Sequence, residues 1–256
     1  MIDSQLILIL VSGLFTALAA SFLGAFIVVK RMALVGDVLS HVALPGIGLA
    51  LLINIDPTYG AALFLLAAAF GTWFIEKKTA LPPEAIIGTF FTATLALGVI
   101  LVPNEELFES LFGNLFSIEL KDAVIIVIAS IVIFVLTLIL SRRLSLSIAA
   151  PDLARSAGFR PDFSYLAFLL LFALSVALGI KLIGSVLMGA LTILPAVSAR
   201  SFSWSLRSFL FFSVILGLMT TLIGITVSNF FNFPPGPSVI LTGVVFFVFS
   251  LLFRRK

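Results

Sequence analysis

Long, uninterrupted apolar runs dominate the chain, and short polar stretches separate them. A helix that crosses the hydrocarbon core of a bilayer needs about 20 apolar residues. Apolar and polar positions do not alternate strictly, which favours helices over the strands of a membrane barrel. The pattern predicts spans near residues 6–29, 33–53, 58–76, 84–102, 122–141, 162–180, 183–199, 208–229 and 239–253. Because the seventh and ninth of these are short, we expect eight or nine full spans.

Composition agrees with a chain that is largely surrounded by lipid. Of the 256 residues, 61% are hydrophobic and 11% are charged, and the mean hydropathy is +1.29. Soluble domains average about 45–50% apolar and about 25% charged residues. Backbone polar groups in lipid must pair internally. We therefore predict an all-α, polytopic transmembrane helical bundle that forms a single domain over residues 1–256.

The positive charges predict an orientation. If the N-terminus is outside and the spans alternate, only Lys121 and Lys181 of the 15 Lys and Arg residues fall outside. Cytoplasmic loops carry an excess of Lys and Arg, so this orientation is favoured and the C-terminus is cytoplasmic. The basic residues lie singly or in small groups between apolar runs, which indicates topology signals and no nucleic-acid partner. No Lys or Arg precedes the first run, so we predict a retained anchor there.

Asp37 and His41 are the strongest candidates for a functional site. Asp37 is the only acid well inside an apolar run, and His41 is the only histidine. They are four residues apart, so a helix places both on one face, with Ser40 beside them. An ionised group at this depth is unfavourable, and a divalent cation would compensate it. Carboxylate and imidazole suit zinc, manganese or iron(II), and the chain has no cysteine to supply a thiolate.

The residues alone leave three interpretations of this pair open. It could line a metal pathway, link helices as a buried structural pair, or relay protons in a secondary transporter. One chain offers too few ligands for a tight metal site, so a homodimer, water, hydroxyl groups or backbone oxygens would complete it. Pro45 follows closely, and because proline removes a helical hydrogen bond, it predicts a kink just beyond the pair.

A short helix is predicted in the cytoplasmic connection between Ser141 and Asp162, from Pro151 to Gly158. Proline suits a first helical turn, the acid of Asp152 complements the helix dipole, and glycine suits the stop. An ordinary interfacial loop is the alternative. No Walker-type GxxxxGK[ST] sequence and no nucleophile–base set is visible, so we expect no enzymatic activity and no ATP hydrolysis by this chain.

These residues resemble the permease subunits of ABC importers for manganese, zinc and iron. Motifs that follow one another in order along nearly the whole chain carry the resemblance: Arg31, Gly36-Asp37, Ser40-His41, Leu44-Pro45-Gly46, Glu84-Ala85, Ile87-Gly88, Asp152, Ala154, Gly158, Gly184, Gly189-Ala190-Leu191, Leu194-Pro195-Ala196, Ala199-Arg200 and Pro235-Gly236. The first block, up to Gly46, is the most specific.

The resemblance implies partners and a location. It implies a homodimer of two permease chains, separate cytoplasmic ATP-binding cassette subunits and an extracytoplasmic metal-binding protein, in the inner or plasma membrane of a prokaryote. The divalent cation, which is zinc, manganese or iron, is the cargo, and no tightly bound cofactor is expected. A proton-coupled secondary metal transporter is the alternative function.

The resemblance also assigns roles to residues. Asp37 and His41 match the positions that are proposed to contact the metal in this family. Ser40, which lies beside them on the predicted helix, is a further candidate ligand. The segment 149–160 matches the coupling helix that docks on the ATPase. Its candidate contacts are Asp152, Leu153, Ala154, Arg155 and Gly158.

Overall fold

A computed structural model describes residues 4–79, 81–101 and 118–253, and these residues form helices and connections without strands. In chain order the helices are α1 (Ser4–Val29), α2 (Ala33–Val42), α3 (Leu44–Leu52), α4 (Pro57–Thr79), α5 (Pro83–Leu101), α6 (Leu120–Ala149), α7 (Pro151–Ser156), α8 (Pro161–Ile183), α9 (Ser185–Arg200), α10 (Leu206–Phe231) and α11 (Pro235–Leu251). The predicted all-α fold is confirmed.

Among the described residues, six helices are long and apolar enough to cross a membrane, namely α1, α4, α5, α6, α8 and α10. The sequence predicts α9 and α11 as shorter apolar segments, and they have 16 and 17 residues. The predicted span 33–53 is occupied by α2 and α3 together. The helical membrane bundle is thus confirmed, whereas eight or nine full spans and an outside N-terminus remain predictions.

The largest difference from the predicted boundaries concerns α6, which ends at Ala149 and not near residue 141. The helix contains no glycine or proline that would stop it at the end of the apolar run. Arg142 and Arg143 are exposed, and their long stems let a helix continue beyond the hydrocarbon. Pro151 ends the helix because the residue before a proline avoids the helical conformation, and here that residue has a φ of −151°.

The centre of the bundle is formed by α1 and α8. In their most apolar windows, 56% and 61% of the residues are buried, against 17% in α5. Phe26 and Phe168 are both buried, with ring centroids 6.3 Å apart. A Cβ atom at Gly24 of α1 would meet the carbonyl oxygen of Thr192 in α9, so these two helices lie backbone to backbone. This tightly packed unit supports α2, which carries the candidate site.

Candidate functional site

His41 lies near the end of α2, one helical turn after Asp37. Its ring is half-buried, and its centroid is 5.5 Å from that of Phe91 in α5, with an interplanar angle of 63°. Ser40 beside it is fully buried. The side chain of Asp37 lies outside the described part of the structure. The imidazole therefore lies at the junction of α2 and α5, and its Nδ1 atom is buried there.

The helix is interrupted directly after this histidine. It ends at Val42, and α3 begins two residues later, with Ala43 between the two helices. Pro45 has no N–H and cannot donate the helical hydrogen bond to the carbonyl oxygen of His41. The N–H of Ala43 donates to that oxygen instead. The two helices are thus separated only at Ala43, whose backbone angles stay helical (φ −67°, ψ −27°). The kink beyond the polar pair stays a prediction.

Apolar side chains hold α2 in the bundle. Val35, Leu39 and Val42 are buried, and their spacing of three and four residues places them on one helix face. A Cβ atom at Gly36 would lie 3.5 Å from the side chain of Ile193 in α9. Because α2 packs against both α9 and α5, the backbone of a supported helix positions the histidine.

The second half of the interrupted span is fixed by glycines. A Cβ atom at Gly46 of α3 would meet the carbonyl oxygen of Gly60 in α4, and one at Gly60 would meet the carbonyl oxygen of Gly46. Only residues without a Cβ let two helices approach this closely. The contact holds α3 against α4 immediately beyond the candidate site.

In the described ranges 4–79, 81–101 and 118–253, no group of three or more His, Cys, Asp or Glu residues is arranged to hold a metal ion. The chemistry that His41 can offer is one neutral imidazole nitrogen, a ligand that zinc and iron accept.

The short helix predicted between residues 151 and 158 is present as α7. Gly158 has a φ of 78°, a left-handed conformation that glycine adopts without strain, and it follows the end of the helix as the sequence predicts. Ala154 is fully buried and anchors α7 to the rest of the chain, whereas Leu153 is 64% exposed.

The charged residues of α7 face solvent. Asp152 and Arg155 form an exposed ion pair, with 3.3 Å between Oδ1 and Nη1. The first turn of α8, which follows this segment, is held against α4, because the Nε1–H of Trp73 donates to the carbonyl oxygen of Asp162 at 3.0 Å. The segment 149–160 therefore presents a leucine and two charges on a fixed backbone.

Sequence reasoning missed an interaction at the end of α1. The Nζ atom of Lys30 lies 3.1 Å from the ring centroid of Tyr165 in α8. Burial lowers the pKa of Lys30 to about 8, against the opposing effect of the charges on Glu76 and Glu84. The pattern of the sequence assigns Lys30 only a topological role, because nothing local indicates that α8 lies beside it.

A second missed cluster lies at the opposite end of α8. It joins the last turn of α8, the first turn of α6 and the residue before α4. The Nζ atom of Lys181 lies 2.9 Å from Oδ1 of Asp122 and 3.6 Å from Oδ2 of Asp56. Burial acts to raise the pKa of Asp56, but hydrogen bonds with Thr58 and the charge of Lys181 outweigh it, so the pKa falls below its usual value. One indication of this cluster was present in the sequence, because the predicted orientation places all three residues on the outer side of the membrane.

Known proteins that are similar to this chain match it over nearly its whole length. A family model described as the ABC 3 transport family matches residues 3–254. The manganese import system permease protein ScaB of Streptococcus parasanguinis is 31% identical over 252 residues, which cover 96% of this chain and 90% of that protein. The high-affinity zinc uptake system membrane protein ZnuB of Haemophilus influenzae is 29% identical over 252 residues, which cover 96% of this chain and 97% of that protein.

A solved structure shares the fold. PsaBC from Streptococcus pneumoniae, in complex with Fab, superposes with a TM-score of 0.83 at 29% sequence identity. The superposition covers 95% of this chain and 89% of that chain. The similarity thus extends over the whole helical bundle and is not confined to one motif.

Proposed function

Because the chain belongs to the ABC 3 transport family, we propose that it is the membrane-spanning subunit of an ATP-driven importer of manganese, zinc or iron(II). The observation that carries this proposal is the family match over residues 3–254, with manganese and zinc relatives that each cover 96% of the chain. ATP hydrolysis belongs to separate partner chains in this proposal. The protein resides in the plasma membrane of a prokaryote.

In the proposed mechanism, Asp37 and His41 form a transient station for the ion within the membrane. His41 supplies a neutral nitrogen ligand and Asp37 supplies a negatively charged carboxylate. Ser40 is a further candidate oxygen ligand. The half-buried His41 on a supported helix supports this role. Because Nδ1 is buried, Nε2 is the nitrogen that we expect to meet the ion. A weak site suits transport since the ion must also leave.

A second copy of the chain completes the site in this proposal. Two-fold pairing would bring a second Asp37 and a second His41 towards the axis, and water and backbone oxygens would supply the remaining ligands. The surface of α5, whose Phe91 contacts His41, is mostly uncovered by the rest of the chain, with 17% of its apolar window buried. Lipid or a second chain must cover this surface.

Coupling to ATP is assigned to the segment 149–160. The external binding protein delivers the ion to the outer face, and the ATP-binding subunits dock on α7 and rock the permease chains between outward-open and inward-open states. The exposed Asp152, Leu153 and Arg155 and the buried anchor Ala154 support this assignment, because they offer a contact surface on a helix that is fixed to the bundle.

Leu153→Asp is expected to reduce ATP-dependent metal uptake and co-purification of the ATP-binding subunit by at least about tenfold. A docking side chain at the centre of an interface contributes about 2 kcal/mol or more, which corresponds to such a loss. The protein itself should fold normally, since Leu153 is 64% exposed. The matched control is Leu81→Asp, at a leucine that is 49% exposed and lies in the connection between α4 and α5, outside α7 and outside the predicted spans. Equal losses in the two variants would argue against a docking role for α7.

The proposed function is tested by metal uptake into vesicles that contain this chain, its ATP-binding subunits and the external binding protein. Accumulation of manganese, zinc or iron is expected to require ATP and to persist when a protonophore dissipates the proton gradient. A proton-coupled secondary transporter predicts the reverse, which is uptake without the ATP-binding subunits that collapses with the gradient. Comparison of the three metals under the same conditions identifies the cargo.

A further inference from the structure

A cavity of about 640 Å³ opens at one end of the bundle, where α9 and α11 end and α10 begins. Its walls are aromatic rings that contact one another. The ring centroid of Phe202 is 6.2 Å from that of Phe212 and 5.7 Å from that of Phe253, and Trp204 is 6.0 Å from Phe212. These mutual contacts give the cavity an aromatic wall, which faces a polar part formed by Arg200, Ser201 and Ser203. Its volume is within the range of about 300–1,000 Å³ that is typical of small-molecule sites.

Among the residues that the structure describes, Arg200 is the one charged residue in the lining of this cavity. Across the described ranges, its guanidinium takes part in none of the ion pairs. No Asp or Glu occurs in the sequence after Asp162, whereas Arg207 and the sequence Arg254-Arg255-Lys256 add further positive charges. Arg200 therefore has no acidic partner among the described residues, and an anionic ligand would complement its charge.

The predicted orientation places this end at the cytoplasmic surface of the membrane. Trp204 is 77% exposed, and tryptophan is enriched where the hydrocarbon core meets the head groups. Basic pockets between membrane helices on the cytoplasmic side bind anionic lipid head groups. The cavity combines a cation with apolar walls, which is the combination that a phospholipid requires.

We propose that this cavity binds an anionic phospholipid of the cytoplasmic leaflet. Arg200 holds the phosphate, and the glycerol backbone and upper acyl chains lie against Phe202, Phe212 and Phe253. The proposal rests on the predicted orientation and is independent of the metal pathway. Because α9 packs against α2, a lipid bound at the end of α9 braces the helix that supports the candidate metal site.

Trp204 allows a direct test, because the chain has two tryptophans and Trp73→Phe leaves Trp204 as the only indole. The full chain with this substitution is reconstituted in phosphatidylcholine vesicles with a fixed minor fraction of phosphatidylglycerol. Two sets of vesicles contain the same mole fraction of lipid with brominated acyl chains. In one set the brominated lipid is phosphatidylglycerol, and in the other it is phosphatidylcholine. Quenching of Trp204 is expected to show a local enrichment of phosphatidylglycerol of about fivefold, equivalent to the roughly 1 kcal/mol that one basic residue contributes near an anionic membrane surface.

Three variants distinguish a site from a general surface potential. Arg200→Gln should abolish the preference, and Arg200→Lys should retain most of it. Arg142→Gln, which removes an exposed arginine outside the cavity, should leave the preference unchanged. Equal quenching by the two brominated lipids before these substitutions would overturn the proposal, as would a preference that survives Arg200→Gln. Loss of lipid quenching on addition of the ATP-binding subunit would overturn it in favour of a protein contact.

Discussion

Metal uptake is expected to fall by at least about tenfold when His41 is replaced by alanine, and by a similar factor in Asp37→Ala. Mutation of a residue that only hydrogen-bonds to a metal ligand lowers metal affinity or activity by about 10–100-fold. Loss of a ligand itself should therefore have an effect at least as large. The chain has one histidine, and no other imidazole of the same subunit can substitute for it. The measurement is initial uptake of manganese and zinc, normalised to the amount of folded protein in the membrane.

Val38→Ala is the matched control for these two variants. Val38 lies in the same helix and is half-buried, so its truncation tests whether any loss of volume in α2 has the same result. Uptake by this control should stay within about twofold of the unmodified protein, since the site chemistry is intact. If the His41→Ala protein transports as well as the control, the imidazole is a structural group and not part of the pathway.

Gly46→Ala is expected to lower both thermal stability and uptake. The new Cβ would meet the backbone carbonyl oxygen of Gly60 and lie 2.9 Å from the ring of Phe64, and a backbone atom cannot rotate away. Overpacking of this kind costs about 1–3 kcal/mol. Each kcal/mol lowers the melting temperature of a chain of this size by about 2–4 °C. Melting in detergent by tryptophan fluorescence measures the stability change, and vesicle uptake measures the functional one.

Gly88→Ala provides the control because it makes the same chemical change where a Cβ would have nothing within 4 Å. Alanine also has a higher helix propensity than glycine, so this variant should be as stable as the unmodified protein or slightly more stable. Equal behaviour of the two alanine variants would show that the contact between α3 and α4 tolerates a methyl group, and that the position of α3 does not depend on Gly46.

Helices were predictable from the sequence because a membrane span is largely a local property. A long apolar run in lipid must satisfy its own backbone hydrogen bonds, and this requirement does not depend on which neighbours it has. The separation of α2 and α3 at Ala43 has a local cause as well, since Pro45 acts on its own helix. The apolar run did not predict where α6 ends, because the run stops before the helix does and only Pro151 terminates the helix.

Contacts between distant segments could not be predicted in the same way. The ring contact of His41 with Phe91 and the ion pairs of Lys181 depend on which helices are neighbours, and hydrophobic periodicity carries no such information. The arrangement around Lys30 was missed for this reason as well. Residue type and spacing therefore identified Asp37 and His41 as candidates, whereas the surroundings of His41 required the packed structure.

The approach of a divalent cation to the His41 imidazole can be measured directly, because the chain contains a single histidine. Isotope-labelled histidine gives one imidazole in the NMR spectrum of the full chain. Manganese is expected to broaden that signal by paramagnetic relaxation, while the same concentration of magnesium leaves it sharp. An imidazole signal that stays sharp in manganese, in a protein that accumulates manganese when assembled with its ATP-binding subunits, would contradict a pathway through His41.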